Sequence, residues 1–141
     1  MPKSLALFLF AVLLAISPNI YANAQTAQTA QTAEAAVLAW LEAIDQGEYE
    51  QAWEKSSPLL KTPLSASMLQ RVVALARGDS GGVESRRRIR VSQYTSMPGA
   101  PHNDYKEFEF QTLFTNNQRV VEVVTPHLEE GTWRVSGYYI Q

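Results

Sequence analysis

The sequence predicts an α+β fold in which N-terminal helices pack on a curved four-stranded antiparallel sheet. Two observations carry this prediction. Apolar residues recur every three or four positions up to about Arg77, which is typical of amphipathic helices, and they alternate with polar residues from Val83 onwards, which is typical of strands. Mainly short turns separate the strands, so we expect each strand to pair with the next in antiparallel fashion.

Residues 1–24 have the features of a cleavable signal peptide. An unbroken apolar run from Leu5 to Ile16 follows a lysine, and it is shorter than the run of about 20 residues that a transmembrane helix needs. Ala22-Asn23-Ala24 offers the small side chains that signal peptidase requires. We therefore predict cleavage after Ala24, with an uncleaved membrane anchor as the alternative interpretation.

Two segments are predicted after the cleavage site. Residues 25–33 repeat Gln-Thr-Ala three times, which indicates a flexible leader, and residues 34–141 are predicted to form one domain. The chain contains no cysteine, which removes disulfides, thiolate metal sites and lipoprotein attachment. Its net charge of −2 gives no reason to expect a nucleic-acid partner. We expect a periplasmic or secreted bacterial protein, monomeric or homodimeric, that does not insert into a membrane after cleavage.

Three helices are predicted from their apolar stripes. Their predicted bounds are 34–46, 48–56 and a third segment that ends at about Arg77. Gly47 supplies the stop signal after the first helix, and Pro58 ends the second. The third helix has two competing caps, Thr62, which a proline follows, and Ser65.

The alternating part of the chain predicts four strands. Their predicted bounds are 83–95, 105–115, 119–125 and 132–140. Alternation also predicts which side chains share a face. In the first strand Ile89 and Val91 share one face, and Arg86, Arg88 and Arg90 share the other. In the second strand Phe108, Phe110 and Phe114 share a face, and in the fourth strand Trp133, Val135 and Tyr139 do. Met97 to Pro101 predicts a rigid loop, and Asn116-Asn117 predicts a hairpin turn.

Several short motifs resemble known families. The opening helices carry Ala36, Trp40-Leu41, Ile44-Asp45, Gly47, Tyr49 and Trp53, a spacing similar to that of the nuclear-transport-factor-two-like (NTF2-like, cystatin-like cone) superfamily. More narrowly, the chain resembles the bacterial domain-of-unknown-function family DUF4019 at Ser85-Arg86, at Pro98-Gly99-Ala100-Pro101 followed by Tyr105, at Val121 to Thr125 and at Trp133 to Tyr138. The resemblance covers about Ala33 to Gln141, and His102-Asn103-Asp104 departs from it where an acidic-glycine turn is expected.

The resemblance implies a cone-shaped α+β fold, a secreted location and no assigned activity. The wider superfamily contains isomerases and dehydratases as well as non-catalytic binding and assembly modules. A fold alone does not choose among these functions, because function depends on the site that the fold carries.

Glu122 is the candidate general base if the domain is an enzyme. Valines surround it on a predicted strand, and an isomerase-type cone needs a buried base opposite a donor, for which Tyr49 and Tyr138 are the candidates. The alternative interpretation is an ion pair across the sheet with Arg86 or Arg88. A contact between Arg86 and Glu122 would argue against the catalytic hypothesis.

A ligand pocket is the second use that these residues could have. The candidate pocket residues are Tyr49, Trp53, Arg86, Glu122, Trp133 and Tyr138. In so small a domain the aromatic side chains, Tyr139 included, could equally fill the core. The basic run from Arg86 to Arg90 is interpreted as a solvated strand face that balances the acidic helices, with a site for an anionic ligand as the alternative.

No metal or cofactor site is predicted. The two histidines, His102 and His127, each lie beside a proline, and we expect both to be solvent-exposed polar residues in a loop or at a strand end. The first functional hypothesis is therefore a non-catalytic exported module that binds a small molecule or an exported protein. The alternatives are an isomerase-like or lyase-like enzyme that uses Glu122 and a self-associating structural domain with an apolar sheet face.

Overall fold

Four helices precede four strands in residues 31–141, the part of the chain that the computed structural model describes. The helices are α1 (Ala33–Asp45), α2 (Tyr49–Glu54), α3 (Pro58–Lys61) and α4 (Ala66–Arg77), and the strands are β1 (Val83–Tyr94), β2 (Tyr105–Phe114), β3 (Arg119–Glu129) and β4 (Thr132–Ile140). The predicted signal peptide and residues 25–30 of the predicted leader lie outside the described residues. Within residues 31–141 no helix is long and apolar enough to cross a membrane.

Side-chain caps explain where the helices begin. Thr32, inside the predicted leader, caps α1 through its hydroxyl, and Ser65 caps α4, so the competing cap Thr62 is not used. The short helix α3 was not predicted, because Pro58 had been interpreted only as a stop signal. Ser57 caps α3 and Pro58 occupies its first turn, where the missing N–H costs nothing.

The strands form one antiparallel sheet in the order β1-β2-β3-β4, so the predicted α+β class and four-stranded antiparallel sheet are confirmed. Strand β3 is longer than predicted, because it continues past Thr125 and through Pro126 to Glu129. A register shift lies between Thr125 and Pro126. A proline is tolerated within a sheet at such an irregularity, because no regular ladder hydrogen bond needs its missing N–H.

A bulge in β1 divides the arginines between the two faces of the sheet, so the predicted common face of Arg86, Arg88 and Arg90 is wrong. The register shifts between Arg88 and Arg90. Arg86 and Arg88 form ion pairs with acidic residues of α1, whereas Arg90 pairs with Glu109 of β2. The extra residue in the bulge is Ile89. Each residue that follows it in β1 therefore points to the face opposite to the one that uninterrupted alternation would give.

A second irregularity turns Tyr138 inward and Tyr139 outward, which is the reverse of the prediction for Tyr139. Thr125 pairs with Gly137 and Pro126 with Val135, so Ser136 has no partner in the ladder. Tyr138 consequently packs against the hydrophobic core, while Tyr139 is half exposed.

Large aromatic side chains fill the space between α1 and the sheet. Trp40 is 1% exposed, and its ring lies 5.4 Å from that of Tyr138. Its indole N–H donates to Ser56 Oγ at 2.9 Å, and that hydroxyl donates in turn to the carbonyl of Ala52 at 2.7 Å. The predicted face that Phe108, Phe110 and Phe114 share is confirmed, since all three are buried. The space between α1 and the sheet is therefore packed, and the polar atoms of Trp40 and Ser56 within it are satisfied.

Candidate functional site

Glu122 lies at the centre of a buried polar cluster. It is 0% exposed, and its two carboxylate oxygens accept hydrogen bonds from four side chains. Arg86 Nε and Thr112 Oγ1 donate to Oε1, the arginine at 2.8 Å. Arg77 Nη2 donates to Oε2 at 3.0 Å, and the Tyr138 hydroxyl donates to the same oxygen at 2.6 Å. These partners come from α4 and from the other three strands of the sheet.

Asp45, at the end of α1, closes the cluster. Its Oδ1 lies 2.9 Å from Arg77 Nη1 and its Oδ2 lies 2.7 Å from Arg86 Nη1, so each arginine joins Asp45 to Glu122. Two guanidinium groups therefore face two carboxylates, and the cluster is neutral as a whole. The Arg77 guanidinium also lies over the ring of Phe114 at 5.5 Å.

The electrostatics keep Glu122 ionised. Burial by itself would raise the pKa of Glu122, but the charge and hydrogen bonds of Arg86, with those of Thr112 and Tyr138, bring this pKa below its ordinary value. Burial and the Glu122 carboxylate raise the pKa of the Tyr138 hydroxyl, so that group stays protonated. A general base needs a free lone pair and a pKa near the working pH, and Glu122 has neither.

Glu122 forms the cross-sheet ion pair that was the alternative interpretation, and this pairing argues against Glu122 as a catalytic base. Arg86 contacts Glu122, whereas Arg88 contacts Glu34 of α1 at 2.6 Å. The other candidate donor, Tyr49, packs against the core and is not among the hydrogen-bond partners of Glu122. The arginine run was predicted to be solvated. Arg87, Arg88 and Arg90 are exposed, but the Arg86 side chain is only 13% exposed.

The candidate pocket aromatics pack against the core. Tyr49, Trp53, Trp133 and Tyr138 are partly buried against the same cluster of apolar side chains. The Trp53 indole N–H donates to the Leu64 carbonyl at 2.6 Å, which fixes α2 to the segment just before α4. Trp133 also lines a cavity of about 210 Å³ beside α1. The structure thus brings Arg86, Glu122 and Tyr138 together and leaves Tyr49, Trp53 and Trp133 apart from them.

A larger cavity lies on the opposite face of the sheet, and sequence reasoning did not predict it. This groove of about 350 Å³ is covered by the loop from Met97 to Ala100. The other residues that line it are Leu59, Tyr105, Glu107, Thr125, Ser136, Gly137 and Tyr139. Part of its wall is formed by Ser136, which has no partner in the ladder, and by Gly137, which has no side chain. The position of both residues depends on the register of the folded sheet, so the groove could not be predicted from the sequence.

The prediction that His127 is exposed to solvent is wrong, whereas His102 is exposed in a loop. His127 is 4% exposed and lies inside β3, opposite Tyr105 and Arg134. The longer course of β3 explains the error, because the strand was predicted to end before Pro126. Burial lowers the pKa of His127, and the nearby Glu129 carboxylate only partly offsets that effect.

His127 belongs to a second polar group of side chains. Its Nε2 lies 3.4 Å from Ser57 Oγ and 3.5 Å from Glu129 Oε2. Its Nδ1 and Glu129 Oε2 are buried without a hydrogen-bond partner in the described part of the chain. An unsatisfied buried group costs about 1–3 kcal/mol, so it calls for a physical explanation.

Across residues 31–141 no three potential ligand side chains come together in a way that could hold a metal ion. No curated protein and no solved structure matches the chain. A family comparison matches residues 36–138 to the family described as protein of unknown function DUF4019. Because this match covers well over half of the chain, the protein belongs to the DUF4019 family.

Proposed function

We propose that the protein is an exported, non-catalytic module that binds a small molecule in the groove beneath the loop from Met97 to Ala100. One observation carries the proposal: the interior is filled by aromatic side chains and by a neutral ion-pair cluster, while a cavity of about 350 Å³ lies on the other face of the sheet. Cavities of this volume accommodate small organic ligands. The N-terminal sequence supports export.

The proposed fold is a cystatin-like, NTF2-like cone whose interior is occupied by its own side chains. The three register irregularities, two between β1 and β2 and one between β3 and β4, support a curved sheet, because bulges increase the local bend and twist of a strand. In this proposal the ligand does not enter the cone. It binds instead where the Met97–Ala100 loop folds over the sheet.

The lining of the groove indicates the class of ligand. Leu59, Met97 and Pro98 supply apolar surface, and the rings of Tyr105 and Tyr139 extend it. Among the lining residues, one carries a charge, Glu107. We therefore propose a ligand with an apolar body and a single polar or cationic group.

The alternatives have less support from the structure. The isomerase hypothesis requires a free carboxylate, and Glu122 is occupied by four hydrogen-bond donors. Self-association through the open sheet face requires a continuous apolar patch. The outward side chains of β2 include Glu107, Glu109 and Gln111, so a polar strip runs through that face.

Native mass spectrometry of protein purified from the periplasm tests the proposal. We expect the wild type to carry a discrete extra mass and the Gly137→Leu variant to have lost it, because the leucine side chain would occupy the groove. A Cβ at Gly137 would lie 3.8 Å from Thr125 Cβ, which is ordinary contact, so we expect the variant to fold. The control is Ser85→Leu, which places the same side chain at an exposed position outside the groove.

Two results would contradict the proposal. The first is a wild-type protein without any bound mass, even after incubation with a periplasmic extract. The second is a bound mass that Gly137→Leu retains as fully as Ser85→Leu does, which would place the ligand elsewhere.

A further inference from the structure

An apolar cavity adjoins the groove at the edge of the sheet. Its volume is about 170 Å³, and its walls come from α3, α4, the segment between them and β4. Leu59, Ser136 and Gly137 line both this cavity and the groove. Strand β4 is an edge strand, so the two cavities lie on either side of its outer edge and meet at Gly137, which has no side chain.

The junction at Gly137 leaves room for a ligand to cross the edge of the sheet. In the described part of the chain, a Cβ at Gly137 would meet a single atom within 4 Å, which is Thr125 Cβ at 3.8 Å. The backbone N–H of Ser57 donates to the Val135 carbonyl at 2.8 Å, which fixes α3 beside this edge and brings Leu59 to the junction. An unbranched chain can therefore pass from one cavity to the other over Gly137.

The chemistry of the adjoining cavity suits a hydrocarbon chain. None of the described residues that line it carries a charge, and most of the wall is aliphatic, with Leu60, Leu64, Leu69 and Val73 among its members. Val72 also lies in this wall and is 41% exposed, so apolar surface of the cavity is left in contact with water. An alkyl chain would cover that surface, because it gains free energy by leaving water and needs no hydrogen-bond partner.

We propose that the groove and the adjoining cavity together bind one single-chain amphiphile with a cationic head. The head lies beside Glu107 in the groove, and the alkyl tail passes over Gly137 into the cavity beside Val72. This inference rests on the proposed function, since it specifies the ligand of the same groove. It adds a tail site on the helix side of the sheet, which the proposed function does not require.

Titrations of the periplasmically exported protein with n-alkylammonium chlorides test the inference. Butylammonium is the short probe and decylammonium is the long one. We expect one ligand per chain by calorimetry and an affinity that rises by about two- to four-fold with each methylene, because each methylene that leaves water adds a similar free energy. In amide NMR spectra the signals of Val72 and Val73 should shift with decylammonium and not with butylammonium, whereas the signal of Glu107 should shift with both.

Matched variants of α4 separate the tail site from general adsorption of a long chain. Val72→Asn places a polar group in the cavity wall and should weaken decylammonium binding by about five-fold or more, with butylammonium binding unchanged. Leu75→Asn makes the same change three residues further along α4, at a side chain that is 84% exposed and outside the cavity. Both probes should bind to Leu75→Asn as they do to the wild type.

A second pair of variants tests the position of the head. Glu107→Gln should weaken both probes by the same factor of about five-fold or more, because it removes the charge that faces the head and leaves the tail site intact. Glu109→Gln, two residues further along β2 and outside the groove, should change neither affinity.

The inference is overturned if the affinity does not rise with chain length, or if decylammonium binds equally well to Val72→Asn and Leu75→Asn. It is also overturned if no alkylammonium binds although the native protein carries a mass that Gly137→Leu loses, and the proposed groove would then stand without the tail site. Failure of the proposed function gives a different result, in which neither probe shifts the signal of Glu107 and Gly137→Leu binds both probes as the wild type does.

Discussion

At the scale of single residues, the central feature is a buried carboxylate that is fully paired. Asp45, Arg77, Arg86 and Glu122 form a closed ring of charges, and each arginine contacts both acids. Such a ring is costly to break, because removing one partner leaves a buried charge without compensation. This pairing explains how a charged Glu122 is accommodated on a strand lined with valines.

Replacing Arg86 should therefore be far more costly than replacing a surface arginine of the same strand. We expect Arg86→Ala to lower the free energy of unfolding by about 3–5 kcal/mol, measured by urea denaturation. The control is Arg90→Ala, whose side chain is 68% exposed and lies 3.4 Å from Glu109, and which should cost less than about 1 kcal/mol. Equal losses in the two variants would contradict a structural role for the cluster.

His127 should make the protein less stable in mild acid. Its pKa is lower in the folded chain than its ordinary value of about 6.5, so the unfolded chain binds the proton more readily. The free energy of unfolding should then fall as the pH drops below about 6.5 and level off below the folded pKa. Urea denaturation between pH 7.5 and 5 measures this slope.

The matched variants for this pH dependence are His127→Phe and His102→Gln. His127→Phe should flatten the slope, because no ionisable ring remains at the buried position. His102→Gln should retain it, since His102 is exposed. A slope that persists in His127→Phe would show that another group is responsible.

At the scale of elements, the features that depend on local sequence signals were predicted correctly more often than the features that depend on cross-strand register. The bounds of α1 and β4 were predicted to within about a residue, because apolar periodicity and end signals act within a few positions. The predicted faces of Arg90 and Tyr139 are wrong, because each depends on a bulge that forms only when two strands align. Strict alternation cannot reveal where an extra residue will be inserted.

The bulge at Ser136 can be tested by making one change at two neighbouring positions. Tyr138→Phe should lower the free energy of unfolding by about 1.5–3 kcal/mol, because it removes the hydroxyl that donates to Glu122 at 2.6 Å. Tyr139→Phe should change it by less than about 0.5 kcal/mol, since that side chain is half exposed. Uninterrupted alternation would give the reverse order, and thermal or urea denaturation distinguishes the two.

At the scale of the whole molecule, the polar cluster joins parts that are distant in sequence. Asp45 comes from α1, Arg77 from α4, Arg86 from β1 and Glu122 from β3. The ends of the first and last helices are thereby fixed to the same region of the sheet. The candidate groove could not be predicted from the sequence for the same reason, since its walls come from α3, from the Met97–Ala100 loop and from three of the strands.

The predicted signal peptide makes a sharp prediction about the mature chain. We expect protein from the periplasm to have an intact mass that begins at Gln25, because the alanines at positions 22 and 24 match the small-residue requirement of signal peptidase. Ala24→Leu should block or displace cleavage and leave a membrane-associated precursor. Ala27→Leu, the same substitution beyond the cleavage site, should be processed normally. A wild-type chain that keeps residues 1–24 and stays in the cytoplasm would contradict export, and the groove ligand would then have to be sought among cytoplasmic molecules.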